Sequence, residues 1–400
     1  MLRLQVKKWA IFTVLMNVVI SAQAVELKHY KDKINSLSQA SLVLKKSNAS
    51  DEIKIHSNKL LVPASTLKIV TAYLAIKRWG LAHRFHTDFY VSQNTLWIKG
   101  YGDPYITSEE IALMSEQIKA LGLINIERIA IDNSFFPELR LNGRGSSDNP
   151  YDAGNAAVVV NFNTAYIQKK AGKLSTAEKQ TPLTPLAIEL ANDLGRGFRK
   201  GSKRISLPGG RDQSARYFGE VFSSLHFGKN LDVSISQVPV DAKLVYRHFN
   251  SKELKELLTA MLKYSNNFIA NQLFLLMPER DESQTMVNVV DAQKNYIQAL
   301  EKEFSFKGIN IVDGAGLSRL NKISAQQLTQ ILQQFKPWIE LLPQRYEGIK
   351  AKTGTLSDNH SLAGFILNKE GNWQAFALLI NKSMPANYRY QLAKELLDKS

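Results

Sequence analysis

The stretch from Pro63 to Ile76, PASTLKIVTAYLAI, constrains the fold more than any other part of the chain. It is apolar at most positions, which predicts a helix buried in the middle of its domain. Ser65 and Lys68 are three residues apart, so they share one helix face with Cβ atoms roughly 5–6 Å apart. Pro63 is a common helix start, and a serine in the first turn lies near free backbone N–H groups that favour developing negative charge. The stretch therefore suits an activated serine.

An ordinary structural explanation exists for the same pair, in which Ser65 is an N-cap and Lys68 extends its amine out of the core. Two later motifs favour catalysis instead. Ser265-Asn266-Asn267 and Lys352-Thr353-Gly354 follow in that order. The set Ser-x-x-Lys, Ser-x-Asn and Lys-Thr-Gly resembles the one used by penicillin-binding proteins and serine β-lactamases.

The first 24 residues have the pattern of a secretory signal peptide. A basic start is followed by an apolar run, residues 9–20, and by the small-residue site Ala22-Gln23-Ala24. The run is short for a membrane span, so we expect cleavage and an exported, periplasmic chain, with a retained anchor as the alternative. The chain contains no cysteine, so it relies on its core and not on disulfides.

The formal net charge is +15, which favours anionic partners such as cell-wall polymer or acidic lipid head groups. The excess is concentrated in residues 165–216, where eleven Lys and Arg face four Asp and Glu. We therefore expect peripheral contact with an anionic wall or membrane surface, with a merely solvated basic face as the alternative. Export argues against a nucleic acid partner.

The strand and helix patterns predict an α+β fold. Two strand-like runs precede the serine helix and three lie near the C-terminus: residues 41–45, 52–57, 349–354, 361–367 and 373–380. With a helix at each end of the mature chain, they can form one five-stranded antiparallel sheet flanked by both terminal helices. We expect a catalytic domain of residues 25–83 plus 241–400 and an inserted accessory region, residues 84–240, whose basic nested part is residues 165–216.

A serine hydroxyl is a poor nucleophile until a neighbour removes its proton. The seven histidines are scattered, and neither a Gly-x-Ser-x-Gly elbow nor a His-Glu-x-x-His zinc signature occurs. Lys68 is the evident base, and it must be neutral to act, which requires burial or an adjacent positive charge such as Lys352 to lower its pKa. No metal or organic cofactor is expected.

The other two motifs lie where a substrate could meet them. Lys352 and Gly354 face the same side of a strand end, and the missing side chain of Gly354 lets a substrate approach the strand edge. Ser265 and Asn267 are two apart in a helix break and could both face a cleft. Each motif has an ordinary explanation: a common strand end, and Asn267 as the N-cap of the next helix.

Taken together, the chain resembles the serine D-alanyl-D-alanine carboxypeptidase/endopeptidase family, the low-molecular-mass class C penicillin-binding proteins. The resemblance covers nearly the whole mature chain and rests on PASTLK at 63–68, GYGDPYIT at 100–107, YSNNFIANQL at 264–273, DGAGLSRLN at 313–321 and KAKTGTLSD at 350–358. It implies a penicillin-binding/β-lactamase-like transpeptidase fold that carries a large inserted domain.

The resemblance also implies roles for the motif residues. Ser65 is then the nucleophile, Lys68 the base for acylation, and Ser265 with Asn267 the groups that shuttle protons and orient the substrate. The oxyanion hole consists of the backbone N–H groups of Ser65 and Thr355.

Substrate recognition is assigned in the same way. Lys352 and Thr353, next to Gly354, bind the terminal carboxylate of the substrate. Asp132 and Arg319 match positions around the substrate side chain, although either residue could equally serve a structural salt bridge or turn.

We therefore expect a peptidoglycan DD-peptidase, a carboxypeptidase or endopeptidase that acts on stem peptides and is inhibited covalently by β-lactams. A serine β-lactamase is the nearest alternative, but no Glu-x-x-Leu-Asn occurs between Ser265 and Lys352 to supply a deacylating base. A weakly catalytic wall-binding protein is the alternative from another class.

Overall fold

The computed structural model describes residues 28–46, 52–123, 126–279, 287–385 and 387–398. The predicted signal peptide, residues 1–24, lies outside these ranges. The chain divides into two compact units, residues 1–66 with 321–400 and residues 67–320. None of the helices in the described ranges is long and apolar enough to cross a membrane. The division into a catalytic domain and an inserted region at residues 83 and 241 stays a prediction.

The chain starts the first unit with α1 (residues 28–35), β1 (Ala40–Leu44), β2 (Ile53–Ile55) and β3 (Leu60–Leu61). It then builds the second unit from α2 (Lys68–Trp79), β4 (His86–Ser92), β5 (Thr95–Gly100), α3 (Ser108–Ala120), β6 (Arg128–Asp132), β7 (Thr164–Lys170), β8 (Lys173–Thr176), α4 (Pro185–Asp193), β9 (Gly201–Ser206), α5 (Gly210–Phe227), β10 (Val233–Ile235), β11 (Lys243–Phe249), α6 (Leu254–Tyr264), α7 (Asn267–Leu275) and α8 (Val289–Phe304). The first unit is completed by β12 (Ile323–Ser324), α9 (Ala325–Phe335), β13 (Gln344–Tyr346), β14 (Ile349–Leu356), β15 (Asn359–Leu367), β16 (Trp373–Ile380) and α10 (Tyr388–Asp398).

The main sheet of the first unit has six strands in the order β13-β14-β15-β16-β1-β2, and every neighbouring pair is antiparallel. The five predicted strands are all present and adjacent, so the predicted sheet is confirmed. The sixth strand, β13, is a short edge strand that the sequence did not predict. Three residues are too few to show the alternation that marks a strand.

Both terminal helices pack on one face of this sheet, as predicted. Tyr30 and Ile34 of α1 and Leu392 and Leu396 of α10 share one apolar cluster with sheet residues such as Leu378. The helices are also joined by an ion pair, because the Lys33 amine lies 2.6 Å from a carboxylate oxygen of Glu395. Side chains alternate between the two faces of a sheet along each strand, so the strand residues between those of the cluster point to the opposite face. The amphipathic helix α9 packs against β1, β15 and β16.

The second unit contains a five-stranded sheet in the order β10-β6-β5-β4-β11. β4 and β5 form an antiparallel hairpin, and β5, β6 and β10 run parallel to one another. The last strand, β11, follows residue 241 in the chain and pairs with β4. Helices α3 and α5 pack together, and α5 also packs on β6 and β10.

A second, small sheet forms within the basic stretch, in the order β8-β7-β9. Several basic residues of this stretch are ion-paired: Lys203 with Asp148, Arg204 with Glu178, and Arg216 with Glu189 and Glu220. Lys170 and Lys173, at the turn between β7 and β8, are exposed. The uncompensated positive charge that faces solvent is therefore smaller than the number of Lys and Arg residues in 165–216 suggests.

The docking of α10 can be tested with Leu396→Ala. Leu396 is buried in the cluster between the sheet and the terminal helices, and removal of a buried leucine side chain costs about 2–5 kcal/mol. We expect the urea midpoint of the first unit to fall accordingly. Gln391→Ala on the exposed side of the same helix is the control and should leave the midpoint nearly unchanged. Equal midpoints for the two variants would contradict this packing.

Candidate active site

Ser65 lies in a single 3-10 turn, Ala64–Leu67, directly before α2. The turn begins at Ala64, whose φ of 49° is in the left-handed region, and the Thr66 hydroxyl donates to the Pro63 carbonyl at 2.7 Å. The N-cap of α2 is Leu67, so the explanation of Ser65 as an N-cap is wrong. Ser65 is held in a defined turn without being used to cap the helix.

The Lys-Thr-Gly motif lies near the C-terminal end of β14, beside the serine turn. A Cβ on Gly354 would lie 2.7 Å from the Pro63 carbonyl oxygen and 3.1 Å from the Ser65 backbone nitrogen. Both distances are to backbone atoms, which cannot move aside cheaply. Glycine at 354 is therefore required for the close approach of β14 to the serine turn.

The outer edge of β14 is partly covered by β13. That short strand pairs with Ile349 and Lys350, and the next N–H, of Ala351, donates to the Pro343 carbonyl at 3.1 Å. Beyond Ala351, no strand in the described ranges pairs with this edge. An open edge of this kind can accept an extended peptide as a further strand.

Two basic side chains hold the motif strand. Lys352 is buried, and its amine donates to the Thr353 carbonyl at 2.8 Å. Arg389 of α10 donates from one nitrogen to the Gly354 carbonyl at 2.7 Å and to the Thr355 hydroxyl at 2.8 Å. Burial lowers the pKa of Arg389 below its ordinary value. No signal in the sequence points to this arginine beyond its place in an amphipathic terminal helix.

In the second unit, Lys68 opens α2 and is fully buried. Its amine donates to Asn267 Oδ1 at 2.8 Å and to the Ala315 carbonyl at 2.7 Å. Burial lowers the pKa of Lys68 to about 7, although the nearby charge of Asp313 acts in the opposite direction. Lys68 is thus positioned to exchange a proton near neutral pH, which is what a base for serine activation requires.

The two asparagines of the Ser-Asn-Asn motif have different tasks. Ser265 ends α6 in the left-handed region, with φ of 57°, and Asn266 caps α7 by accepting from the Ile269 N–H at 3.0 Å. The explanation of Asn267 as the N-cap is therefore wrong. With the cap supplied by Asn266, the Asn267 side chain accepts from Lys68 and donates to the Tyr151 carbonyl at 3.3 Å.

A buried aspartate that was not predicted as a site residue fixes the second acceptor of Lys68. The Asp313 carboxylate accepts four backbone N–H groups, those of Ala315, Gly316, Leu317 and Ser318. Asn271 accepts from the N–H groups of Gly314 and Ala315, both at 3.0 Å. The loop thereby presents the Ala315 carbonyl to the amine. The Asp-Gly-Ala-Gly sequence at 313–316 was the available signal.

The structure gives Asp132 a structural set of contacts. One carboxylate oxygen accepts from the Ser134 N–H at 2.9 Å and the other from the Val238 N–H at 3.0 Å. Lys99 lies 3.9 Å away. Arg319 is exposed and directly follows the loop held by Asp313. The role of both residues at the substrate side chain stays a prediction.

Each unit thus contains a part of the predicted constellation: Ser65 with Lys352–Thr355 in the first, and Lys68, Ser265 and Asn267 in the second. No group of three or more His, Asp and Glu residues that could hold a metal is found in the described ranges.

A protein-family model decides what kind of chain this is. The model of the D-Ala-D-Ala carboxypeptidase 3 (S13) family matches residues 23–192 and 211–398. The chain belongs to this family. The expected enzyme class, a serine-type D-Ala-D-Ala carboxypeptidase, is thereby confirmed, and so is the resemblance to it described above.

Individual relatives agree with the family assignment. A D-alanyl-D-alanine carboxypeptidase of Actinomadura sp. (strain R39) is 25% identical over 80% of this chain and 73% of the relative. The D-alanyl-D-alanine carboxypeptidase DacB of Haemophilus influenzae is 28% identical over 38% of this chain and 36% of the relative.

Solved structures show the same fold at low identity. Penicillin binding protein 4 (dacB) of Haemophilus influenzae has a TM-score of 0.72 and 21% identity, covering 90% of this chain and 96% of that one. Bd3459, a peptidoglycan endopeptidase of Bdellovibrio bacteriovorus, has a TM-score of 0.52 and 14% identity, covering 91% of each chain. A penicillin G acylated form of Bd3459 has also been solved. The predicted penicillin-binding fold is confirmed.

The contact between β14 and the serine turn can be tested with Gly354→Ala. The added methyl group would force β14 away from the Pro63 carbonyl, since overpacking of this kind costs about 1–3 kcal/mol. We expect acylation by benzylpenicillin, followed by intact mass, to slow at least tenfold while the protein remains folded. Gly197→Ala is the control, because its Cβ would meet no atom within 4 Å. An unchanged acylation rate in Gly354→Ala would refute the steric requirement.

Proposed function

We propose that this family member cleaves the peptide bond after D-alanine in peptidoglycan stem peptides through an acyl-enzyme on Ser65. The supporting observation is the buried Lys68, three residues after Ser65, whose pKa is lowered to about 7. A lysine with an ordinary pKa would be protonated at neutral pH and could not accept a proton. Burial thus makes Lys68 a suitable base for the serine that precedes it.

In the acylation step, the Ser65 hydroxyl oxygen attacks the D-alanine carbonyl and its proton passes to Lys68. The negative oxygen of the tetrahedral intermediate is stabilised by the backbone N–H groups of Ser65 and Thr355, a contribution of about 3–4 kcal/mol per donor. The intermediate then breaks the peptide bond, and the leaving amine takes the proton held by Lys68, passed through the Ser265 hydroxyl, while the Asn267 amide orients the substrate. Water attacks the ester, returns the serine hydroxyl and releases the shortened peptide.

Substrate binding is assigned to the first unit's motif strand. The stem peptide would extend the sheet along the open edge of β14 beyond Ala351, and Lys352 with Thr353 would bind its terminal carboxylate. Gly354 keeps the strand against the serine turn. Asp132 and Arg319 remain candidates for contacts to the substrate side chain, as the family resemblance implies.

The same site would act as a carboxypeptidase on free D-Ala-D-Ala ends or as an endopeptidase on D-Ala cross-links. The endopeptidase option is supported by the name of the structurally similar Bd3459. We also propose that the chain is exported to the periplasm, and that Lys170 and Lys173 contribute to peripheral contact with an anionic wall or membrane surface. A nucleic acid partner, a metal and an organic cofactor form no part of this proposal.

Incubation with benzylpenicillin tests the acyl-enzyme directly. A β-lactam presents a strained amide carbonyl next to a carboxylate, so it should acylate Ser65 and give a stable mass adduct. Ser65→Ala should give none, and Ser57→Ala, outside the motif, is a matched control that should still give the adduct. Rapid hydrolysis of penicillin without an adduct would indicate a serine β-lactamase. If neither an adduct nor hydrolysis is observed, the alternative of a weakly catalytic wall-binding protein remains.

The proposed base predicts the pH dependence of acylation. Lys68 must lose its proton to act, so the acylation rate should rise with pH through about 7 and level off above it. Asn267→Ala removes an acceptor for the charged amine, which should shift the rise to lower pH, whereas Gln391→Ala, on the exposed side of α10, should leave its midpoint in place. Stopped-flow acylation from pH 5 to 9 measures both. A rate independent of pH over this range would exclude Lys68 as the base.

A further inference from the structure

A cleft of about 560 Å³ lies within the second unit, beside the Ser-Asn-Asn motif. It is lined by Ser265, Asn267 and Phe268 and by residues of the chain from α3 to β9, among them Phe162 and Arg204. Asp132 and Arg319 do not line it. The cleft is therefore separate from the predicted contacts to the stem-peptide side chain.

One wall of the cleft is a short left-handed turn. Asn161, Phe162 and Asn163 have φ values of 52°, 58° and 58°, a conformation unfavourable for three successive residues with side chains. Asn161 holds the turn by accepting from the Ser108 N–H at 3.0 Å, and Asn163 by donating to the Gly154 carbonyl at 2.9 Å. Strain of this kind persists only where surrounding contacts hold it, and it is common at binding and active sites. It fixes the Phe162 ring in the cleft wall.

The polar groups of the cleft are also fixed in place. The Arg204 guanidinium donates to Glu178 and to the Thr164 hydroxyl, the latter at 3.1 Å, and lies 4.5 Å from the centre of the Tyr166 ring. Gln180 and Glu109, both exposed, line the cleft alongside this pair. The cleft thus presents planar side chains that can make two hydrogen bonds each.

Aromatic rings complete the lining. Tyr105 packs edge-on against Phe162, with ring centres 5.2 Å apart. Tyr151 and Tyr264 are two-thirds exposed, at 66% and 70%, where large rings are normally covered. Exposed tyrosines offer an apolar face and a polar tip to a ligand.

We propose that this cleft binds an amino-sugar unit of the glycan strand. A sugar ring has a flat C–H face that stacks on tyrosine, and hydroxyl and acetamido groups that match paired donors and acceptors. An extended peptide is a poorer fit, because most lining residues lie in turns, loops and helices, and the two strand residues, Thr164 of β7 and Arg204 of β9, belong to strands that already pair with each other. The lining also contains two carboxylates, Glu109 and Glu178, but only one guanidinium, that of Arg204. This charge balance favours a neutral ligand over a peptide that carries carboxylates.

This inference rests on the proposed peptidoglycan substrate and makes it more specific. Peptidoglycan joins each stem peptide to an amino-sugar chain, so a glycan subsite beside Ser265 would bind the sugar and the peptide of one substrate together. Linking two contacts in one molecule raises the effective concentration of the second. The enzyme would therefore prefer stem peptides that still carry their disaccharide.

The preference is measured with one stem peptide ending in D-Ala-D-Ala, with and without its N-acetylglucosamine–N-acetylmuramic acid disaccharide. We expect kcat/KM to be about tenfold higher with the sugars in the wild-type protein. Tyr105→Leu and the exposed Gln180→Ala should reduce this ratio towards one and leave kcat/KM for the bare peptide within twofold. Tyr346→Ala, on β13 and outside the cleft, is the control. A wild-type ratio of one, or a ratio unchanged in both variants, would overturn the proposal.

Direct binding separates this inference from the proposed function. Chitotetraose is titrated by calorimetry into Ser65→Ala protein, which cannot be acylated at that position. Binding that weakens at least tenfold in Gln180→Ala supports the subsite even if the wild-type protein cleaves neither peptide. Absence of binding overturns the subsite even if the wild-type protein is acylated by penicillin. A rate gain with a sugar-free cross-linked peptide dimer, and none with the disaccharide, would assign the cleft to a second peptide instead.

Discussion

The candidate site residues of the second unit depend on one constraint, the burial of the Lys68 amine. An isolated ammonium ion in an apolar interior is very costly, and a protein reduces that cost by supplying hydrogen-bond acceptors and by lowering the pKa of the group. Lys68 has both, through Asn267 and the Ala315 carbonyl. Each acceptor requires its own support: Asn266 must cap α7 so that Asn267 is available, and Asp313 must hold the loop that carries Ala315.

The same helix that supplies Asn267 also holds distant segments of the second unit in place. Gln272 of α7 donates to the carbonyls of Gly102 and Ala156, at 3.0 and 2.8 Å, and accepts from Asn155 at 2.7 Å. Buried polar groups of this kind are favourable only when every partner is in place. The loop after β5 and the chain leading to β7 are therefore held against the helix that positions a motif residue.

Much of the fold was predictable because its signals are local. Five strands of the main sheet are recognisable as short strand-like runs, and the three motifs lie at recognisable spacings in the sequence. The remainder depends on contacts between distant residues. Nothing near Arg389 indicates that its side chain reaches Gly354, and the choice between Asn266 and Asn267 as cap is decided by backbone geometry. The left-handed turn at Phe162 could not be predicted, since propensity opposes it. Strand β13 is a strand only through its pairing with the edge of β14.

The position of β1 between β16 and β2 has a consequence for how the chain folds. The second unit is continuous in sequence, so all its residues are available while the C-terminal eighty residues, 321–400, are still being synthesised. The first unit cannot assemble its sheet in that interval, because the neighbour of β1 is among the last segments to arrive. Its apolar strands β1 and β2 must remain unpaired on one edge until then, a period of exposure that favours aggregation. Binding of a holding chaperone to the segment before Ser65 would shorten that exposure.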